Sequence, residues 1–168
     1  LARVVRDEAL DLEKAGARFI QIDEPAASTR MDELDLVIES MKIVTDPLSA
    51  HTITHICYGD FHNAYPKMLE IPVDQIDLEF ANSDYSLLDE FSEHPFTKFV
   101  GLGVVDVHSH GLEPVDEIVN GLRRALKYFS PDKVFVDPDC GLKTRTVEEA
   151  QAKLANVKNA VDIVRAEL

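Results

Sequence analysis

Short apolar segments alternate with amphipathic helical stretches along the whole of this chain, and that alternation leaves few folds open. Five segments read as strands, at residues 18–23, 51–57, 75–80, 98–108 and 133–137. Between them lie helical stretches at 31–46, 60–69 and 87–91, one entered through Pro114, and a last one opening at Thr146. A strand, a helix and a further strand close as a right-handed βαβ unit, so the repetition predicts a parallel sheet with helices outside it. All the strand C-termini then share one face, which is where a barrel of eight such units keeps its chemistry. Five units cannot close that barrel. The expectation is therefore an α/β fold, a (β/α)8 barrel of which about the last five βα units are present, with residues 1–168 as one catalytic domain. Leu1 stands inside a helix already under way, which fits a piece of a longer polypeptide. An open doubly wound sheet fits less well, because no glycine-rich nucleotide loop follows any strand.

Apolar spacing gives each helix a buried stripe. The opening helix carries Val4, Ala9, Leu10 and Leu12, and Gly16 closes it. The second carries Leu34, Leu36, Val37, Met41 and Val44, and the 60–69 helix is disturbed by Pro66. Pro114 suits a first turn and leads into Val115, Ile118, Val119, Leu122 and Leu126. Thr146 and Glu149 form a capping box ahead of Val147, Ala150, Leu154, Val157, Val161 and Val164.

The strands end on polar residues of one chemical kind. In chain order these are Asp23, then His55 and Cys57, then Glu79, then Asp106 and His108, then Cys140. Strand side chains repeat every two residues, so His55 and Cys57 project from one face, and Gly59 lets the chain turn away. Buried carboxylates and imidazoles carry a desolvation cost unless they are paired or bind metal. A cluster that uses both cysteines of the chain points to zinc, which takes nitrogen, thiolate and carboxylate ligands. Taken singly, each residue also has a plain reading. Glu79 can be a solvated strand-end acid, Asp23 a turn acid, and Asp106 either a loop cap or the residue that orients His108. His110 competes with His108, while His51, His62 and His94 are read as ordinary and Lys143 and Arg145 as solvated.

Composition narrows the partners. A net charge of -14 without a basic patch argues against nucleic acid and anionic membranes. No apolar run approaches the ~18 residues of a membrane span, and no secretory leader pattern is seen. Two cysteines are too few for a disulfide framework and fit a reducing, cytoplasmic setting.

Several stretches resemble the cobalamin-independent methionine synthases, in the second half of their catalytic barrel. They are Ile20-Gln-Ile-Asp-Glu-Pro-Ala26, His55-Ile-Cys-Tyr58, Asp77-Leu-Glu79, Val105-Asp-Val-His-Ser109 and Val136-Asp-Pro-Asp-Cys-Gly-Leu-Lys-Thr-Arg145. The spacing from Cys57 through Glu79 and His108 to Cys140 is similar too, and the resemblance covers nearly the whole chain. It implies a Zn²⁺ ion held by His55, Cys57, Glu79 and Cys140. Asp23 would hold the amino group of homocysteine, and His108, oriented by Asp106, would be the proton donor.

The implied reaction methylates the homocysteine thiol to give methionine. Zinc lowers the thiol pKa, Asp23 aims the sulfur at the donor, and Glu79 is the ligand expected to loosen as substrate sulfur arrives. A methyltetrahydrofolate donor needs a proton on its leaving nitrogen, which His108 would supply, whereas a methylcorrinoid donor needs none. Thr29 stands where the long folate-using members carry an acid, six positions after Asp23. The donor therefore stays open between methyltetrahydrofolate polyglutamate and a methylated corrinoid protein, as in short archaeal-type relatives. The alternatives are a zinc methyltransferase acting on another thiol such as coenzyme M, and a non-catalytic zinc-stabilised domain. The missing N-terminal half of the barrel would be a further partner.

Overall fold

The computed structural model describes residues 1–57 and 59–168. Tyr58, part of the His55-Ile-Cys-Tyr58 stretch, lies outside the described residues. Five strands form one sheet in the order β1-β2-β3-β4-β5: β1 Phe19–Gln21, β2 His51–Ile56, β3 Gln75–Glu79, β4 Phe99–Gly103 and β5 Val134–Asp137. Neighbours in space are neighbours in sequence. A doubly wound sheet would reverse its strand order at a switch point, so this order favours barrel-type units. The longer helices are α1 Ala2–Lys14, α2 Leu34–Thr45, α3 Val115–Ala125 and α4 Val147–Arg165.

The chain divides into two compact units. The first comprises Leu1–Asp77 with Thr97–Phe99. In it β1 and β2 pair in parallel, Phe19 opposite His51 and Gln21 opposite Ile53. The pairing continues past the last regular residue of β1, with Ile22 N donating to Ile53 O at 2.8 Å and Glu24 N to His55 O at 3.1 Å. That fixes the Asp23 segment alongside the end of β2. The core here is Ala9, Ile20 and Val44, with Val5, Ile22 and Leu48 packed on it. The His51 ring lies against the rings of Phe19 and Phe99, with Nε2 3.1 Å from Gln75 Oε1, an ordinary packing role.

The second unit comprises Leu78–Phe96 with Val100–Leu168. Its strands β4 and β5 are parallel, from Val100 opposite Val134 to Gly103 opposite Asp137. Phe91 stacks edge-on against Phe80 and Phe129, with Phe96 beside them, an aromatic core that favours tilted and T-shaped contacts. Helix α4 begins with both halves of the expected capping box: Glu149 N donates to Thr146 Oγ1 at 3.2 Å, and Thr146 N donates to Glu149 Oε2 at 2.9 Å.

Four expectations are corrected. The fourth strand stops at Gly103 rather than running to His108. Val104, Val105 and Val107 are buried, so the apolar run continues through a buried loop that mimics strand alternation. The 60–69 stretch is two short 3₁₀ turns, Phe61–Asn63 and Lys67–Glu70, with Pro66 between them. The 87–91 stretch is likewise 3₁₀, over Ser86–Ser92. The stripes on the outer helices are displaced: Val4, Leu12 and Leu36 are exposed, and on α4 Val147 (67%) and Leu154 (47%) face outward. The buried face of α4 is Lys153, Val157, Ala160 and Val164.

Candidate metal centre

The end of β2 carries His55 and Cys57 two residues apart. Cys57 lies just past the strand, where Ser28 Oγ donates to its carbonyl at 3.1 Å. Gly59 then turns the chain at φ +111°, a conformation that side chains disfavour. A Cβ at Gly59 would also meet Ser28 Oγ at 2.8 Å and its Cβ at 2.9 Å. Nearby in the same unit Asp23 is exposed, and its Oδ1 accepts from Gln21 Nε2 at 2.8 Å.

The remaining predicted residues belong to the second unit. Glu79 ends β3 with a side chain 3% exposed. Its Oε1 lies 4.0 Å from His108 Nε2, and its Oε2 is 3.4 Å from the donor Asn82 Nδ2. Asp106 and His108 sit on the loop after β4. The described contact between them is to the backbone: His108 N donates to Asp106 Oδ1 at 2.7 Å. Asp106 therefore braces the backbone of the loop that carries His108. The His108 ring is about one-third exposed (35%). His110 is engaged elsewhere, with Nδ1 2.8 Å from Glu149 Oε1 of the α4 capping box.

The same loop is anchored by residues the sequence did not single out. Glu113 Oε1 accepts from Asp106 N at 3.0 Å. Lys153, with a side chain 0% exposed, donates from Nζ to Glu113 Oε2 at 2.7 Å, to Oε1 at 3.0 Å and to Gly111 O at 2.5 Å. Asn156 Nδ2 adds a bond to Glu113 O at 2.9 Å. A lysine inside the apolar spacing of α4 was the available signal, because an ammonium is rarely buried without a partner.

Cys140 follows β5 on the segment Pro138-Asp139-Cys140. Asp139, fully buried, accepts from three consecutive amides beyond β3, those of Phe80 (3.1 Å), Ala81 (3.1 Å) and Asn82 (2.7 Å). Burial pushes its carboxyl up to about 7, with the Glu79 charge adding to the rise and the three amide donors opposing it. Arg145, farther along the loop, is half-buried rather than solvated, and its Nε and Nη1 find no hydrogen-bond partner among the described residues.

One ligand atom from each of His55, Cys57 and Cys140 lies within 4.8 Å of the others. This is the group among the described residues that could hold a metal ion. His55 Nε2 is buried and without a hydrogen-bond partner among the described residues, so its lone pair is available to a metal ion. One nitrogen and two sulfurs suit a borderline or soft divalent ion better than a hard one. Three of the four predicted ligands thus come together. Glu79, the fourth predicted ligand, lies within the second unit, with Oε1 4.0 Å from His108 Nε2.

Comparison with known proteins follows the same lines. The family model described as "Cobalamin-independent synthase, Catalytic domain" matches residues 1–163. A methionine synthase of Saccharolobus islandicus (strain L.S.2.15 / Lassen #1) is 38% identical over 168 residues, which are all of this chain and 51% of that protein. One from Saccharolobus solfataricus is 39% identical with the same coverage. The solved B12-independent methionine synthase from Shewanella sp. W3-18-1, in complex with selenomethionine, superposes with a TM-score of 0.90 at 29% identity. That match covers 99% of this chain and 54% of the other. The chain spans about half the length of the curated relatives it matches. Its fold is accordingly α/β, five βα units of the (β/α)8 barrel type. The chain belongs to the cobalamin-independent methionine synthase family, within its catalytic domain.

Proposed function

We propose that this chain is the metal-bearing part of a zinc-dependent methyltransferase that methylates the thiol of L-homocysteine to give L-methionine. The observation that carries the reading is the approach of His55, Cys57 and Cys140 to within 4.8 Å in a chain of this family. The selenomethionine bound by the Shewanella relative, an analogue of the product, supports the same substrate class. His55, Cys57 and Cys140 would hold Zn²⁺, with Glu79 as the fourth ligand. When bound, the ion would lower the pKa of the substrate thiol, so that thiolate is available at neutral pH.

The chain's own residues supply the rest. Asp23, exposed beside the end of β2, would fix the substrate ammonium and so direct the sulfur toward the methyl donor. His108, on a loop held by Asp106, Glu113 and Lys153, would deliver a proton from its ring to the leaving nitrogen of methyltetrahydrofolate. With a methylcorrinoid donor that proton is not needed, and H108A would cost little. Thr29, where a folate-contacting acid is expected, favours the corrinoid version.

Metal analysis of the full chain, with methylation of homocysteine by each donor in turn, tests the proposal. Zinc near one equivalent and methionine formation are expected. Activity with methylcobalamin but none with methyltetrahydrofolate would overturn the folate version. If removing zinc unfolds the protein, no methionine forms with either donor and D23N leaves homocysteine affinity untouched, the site is structural and the enzymatic reading fails.

A further inference from the structure

We propose that Asp139 is a positioning residue of the metal centre, fixing the loop that follows Glu79 and the segment that carries Cys140 to one another. The inference rests on the zinc reading above and concerns a residue to which that reading gives no part. Asp139 is fully buried, yet its carboxylate contacts backbone rather than another side chain's charge: the amides of Phe80, Ala81 and Asn82, at 3.1, 3.1 and 2.7 Å. These are the three residues directly after Glu79, and Cys140 directly follows Asp139. Three consecutive N–H groups converging on one carboxylate make a rigid clamp, and the buried Phe80 N has Asp139 as its described acceptor.

The backbone makes room for the clamp. Gly103, the last residue of β4, passes so close that a Cβ there would collide with Asp139 Oδ1, lie 2.7 Å from Asp139 Cα and reach 2.8 Å from Leu78 O. Asp139 N donates to Val105 O at 3.0 Å, and Ala81 N donates to Gly103 O at 3.1 Å as well as to the carboxylate. The Asp139 side chain thus ties the end of β3 to the end of β5, both of which carry proposed ligands, while its backbone N–H ties the same segment to the chain after β4. Residues that orient metal ligands from behind typically change metal affinity about 10–100-fold when altered.

The test is Co²⁺ titration of the full chain, metal-free at the start, followed by thiolate-to-cobalt charge-transfer and ligand-field absorption. Wild type, D139N and D139S are compared, with near-ultraviolet circular dichroism reporting the fold. D139N puts an NH2 group against amide donors at the same volume, and D139S removes the clamp at smaller size. The expected result is a folded variant whose Co²⁺ affinity falls roughly 10–100-fold, with weaker charge-transfer intensity as a thiolate is misplaced. G103A, which leaves every ionisable group in place but intrudes on the carboxylate, is expected to do the same. A folded D139N or D139S with wild-type affinity and spectrum overturns the inference. Failure of both to fold, with or without metal, assigns Asp139 to the fold alone and also overturns it. If wild type itself takes up no Co²⁺ or Zn²⁺, the metal reading has failed first, and that result is read from wild type alone.

Discussion

Replacing Lys153 by methionine isolates the buried ion pair that holds the His108 loop. In the wild type three contacts from Nζ at 2.5–3.0 Å satisfy Gly111 O and both oxygens of Glu113. K153M keeps the packed hydrocarbon but strands the Glu113 carboxylate, 18% exposed, with Asp106 N as its described donor. Breaking a buried pair from one side costs about 3–5 kcal/mol. For a chain of this size each kcal/mol moves Tm by about 2–4 °C, so K153M should melt roughly 6–20 °C below wild type. Urea unfolding gives the free energy directly. The double variant K153M/E113Q removes the stranded charge while an amide oxygen still accepts from Asp106 N. It should recover at least about 1 kcal/mol relative to the sum of the single variants. Hydrogen exchange adds a local readout, since the amides of Asp106 and His108 should lose protection in K153M. A K153M protein within about 1 kcal/mol of wild type, or strict additivity in the cycle, would refute the reasoning.

Three further outcomes follow from the geometry. H55A and C140S should each retain far less zinc than wild type, and excess Zn²⁺ should raise the Tm of wild type but not of H55A, because an ion that binds only the folded state stabilises it by mass action. Burial draws the Asp74 carboxyl upward, but donation from Thr52 N (2.8 Å) and Oγ1 (2.9 Å), with the charges of His51 and Lys98, holds it below 3.8. A depressed carboxyl contributes stability above its unfolded value and loses it as pH falls through the folded one. The Tm gap between wild type and D74N should therefore be constant above about pH 5 and close at lower pH; a gap that widens in acid would contradict it. T146A should cost about 1 kcal/mol by opening the α4 cap, measured by urea unfolding.

Much of the fold was legible because short-range patterns decide it. Strand β3 runs from Gln75 to Glu79 as alternation and turn residues imply, and the Thr146–Glu149 box marks where α4 begins. The sequential strand order fits right-handed βαβ units added one after another, and the lack of a glycine-rich nucleotide loop had set aside the doubly wound order. His55, Cys57 and Cys140 could be picked out because soft ligands at strand ends are chemically conspicuous. Other features had no such mark. Val104, Val105 and Val107 continue an apolar run into a buried loop, and periodicity cannot separate that from strand. Lys153 broke the apolar stripe of α4, which turned the inferred face toward Val147 and Leu154 and away from the true one. Asp139 was hidden for a different reason: its partners are peptide amides, which every residue but proline possesses, so no residue type announces them.

The turn at Gly59 sets a limit on how this polypeptide can drift. Any L-residue there meets two penalties at once, an unfavourable dihedral and the side chain of Ser28, and the strain falls on the carbonyl that Ser28 grips at Cys57. A saturation library should accordingly find that position as intolerant as a ligand, although it contributes no functional group. Its selective value lies in a missing methyl, and a variant scan ranking sites by reactivity alone would overlook it.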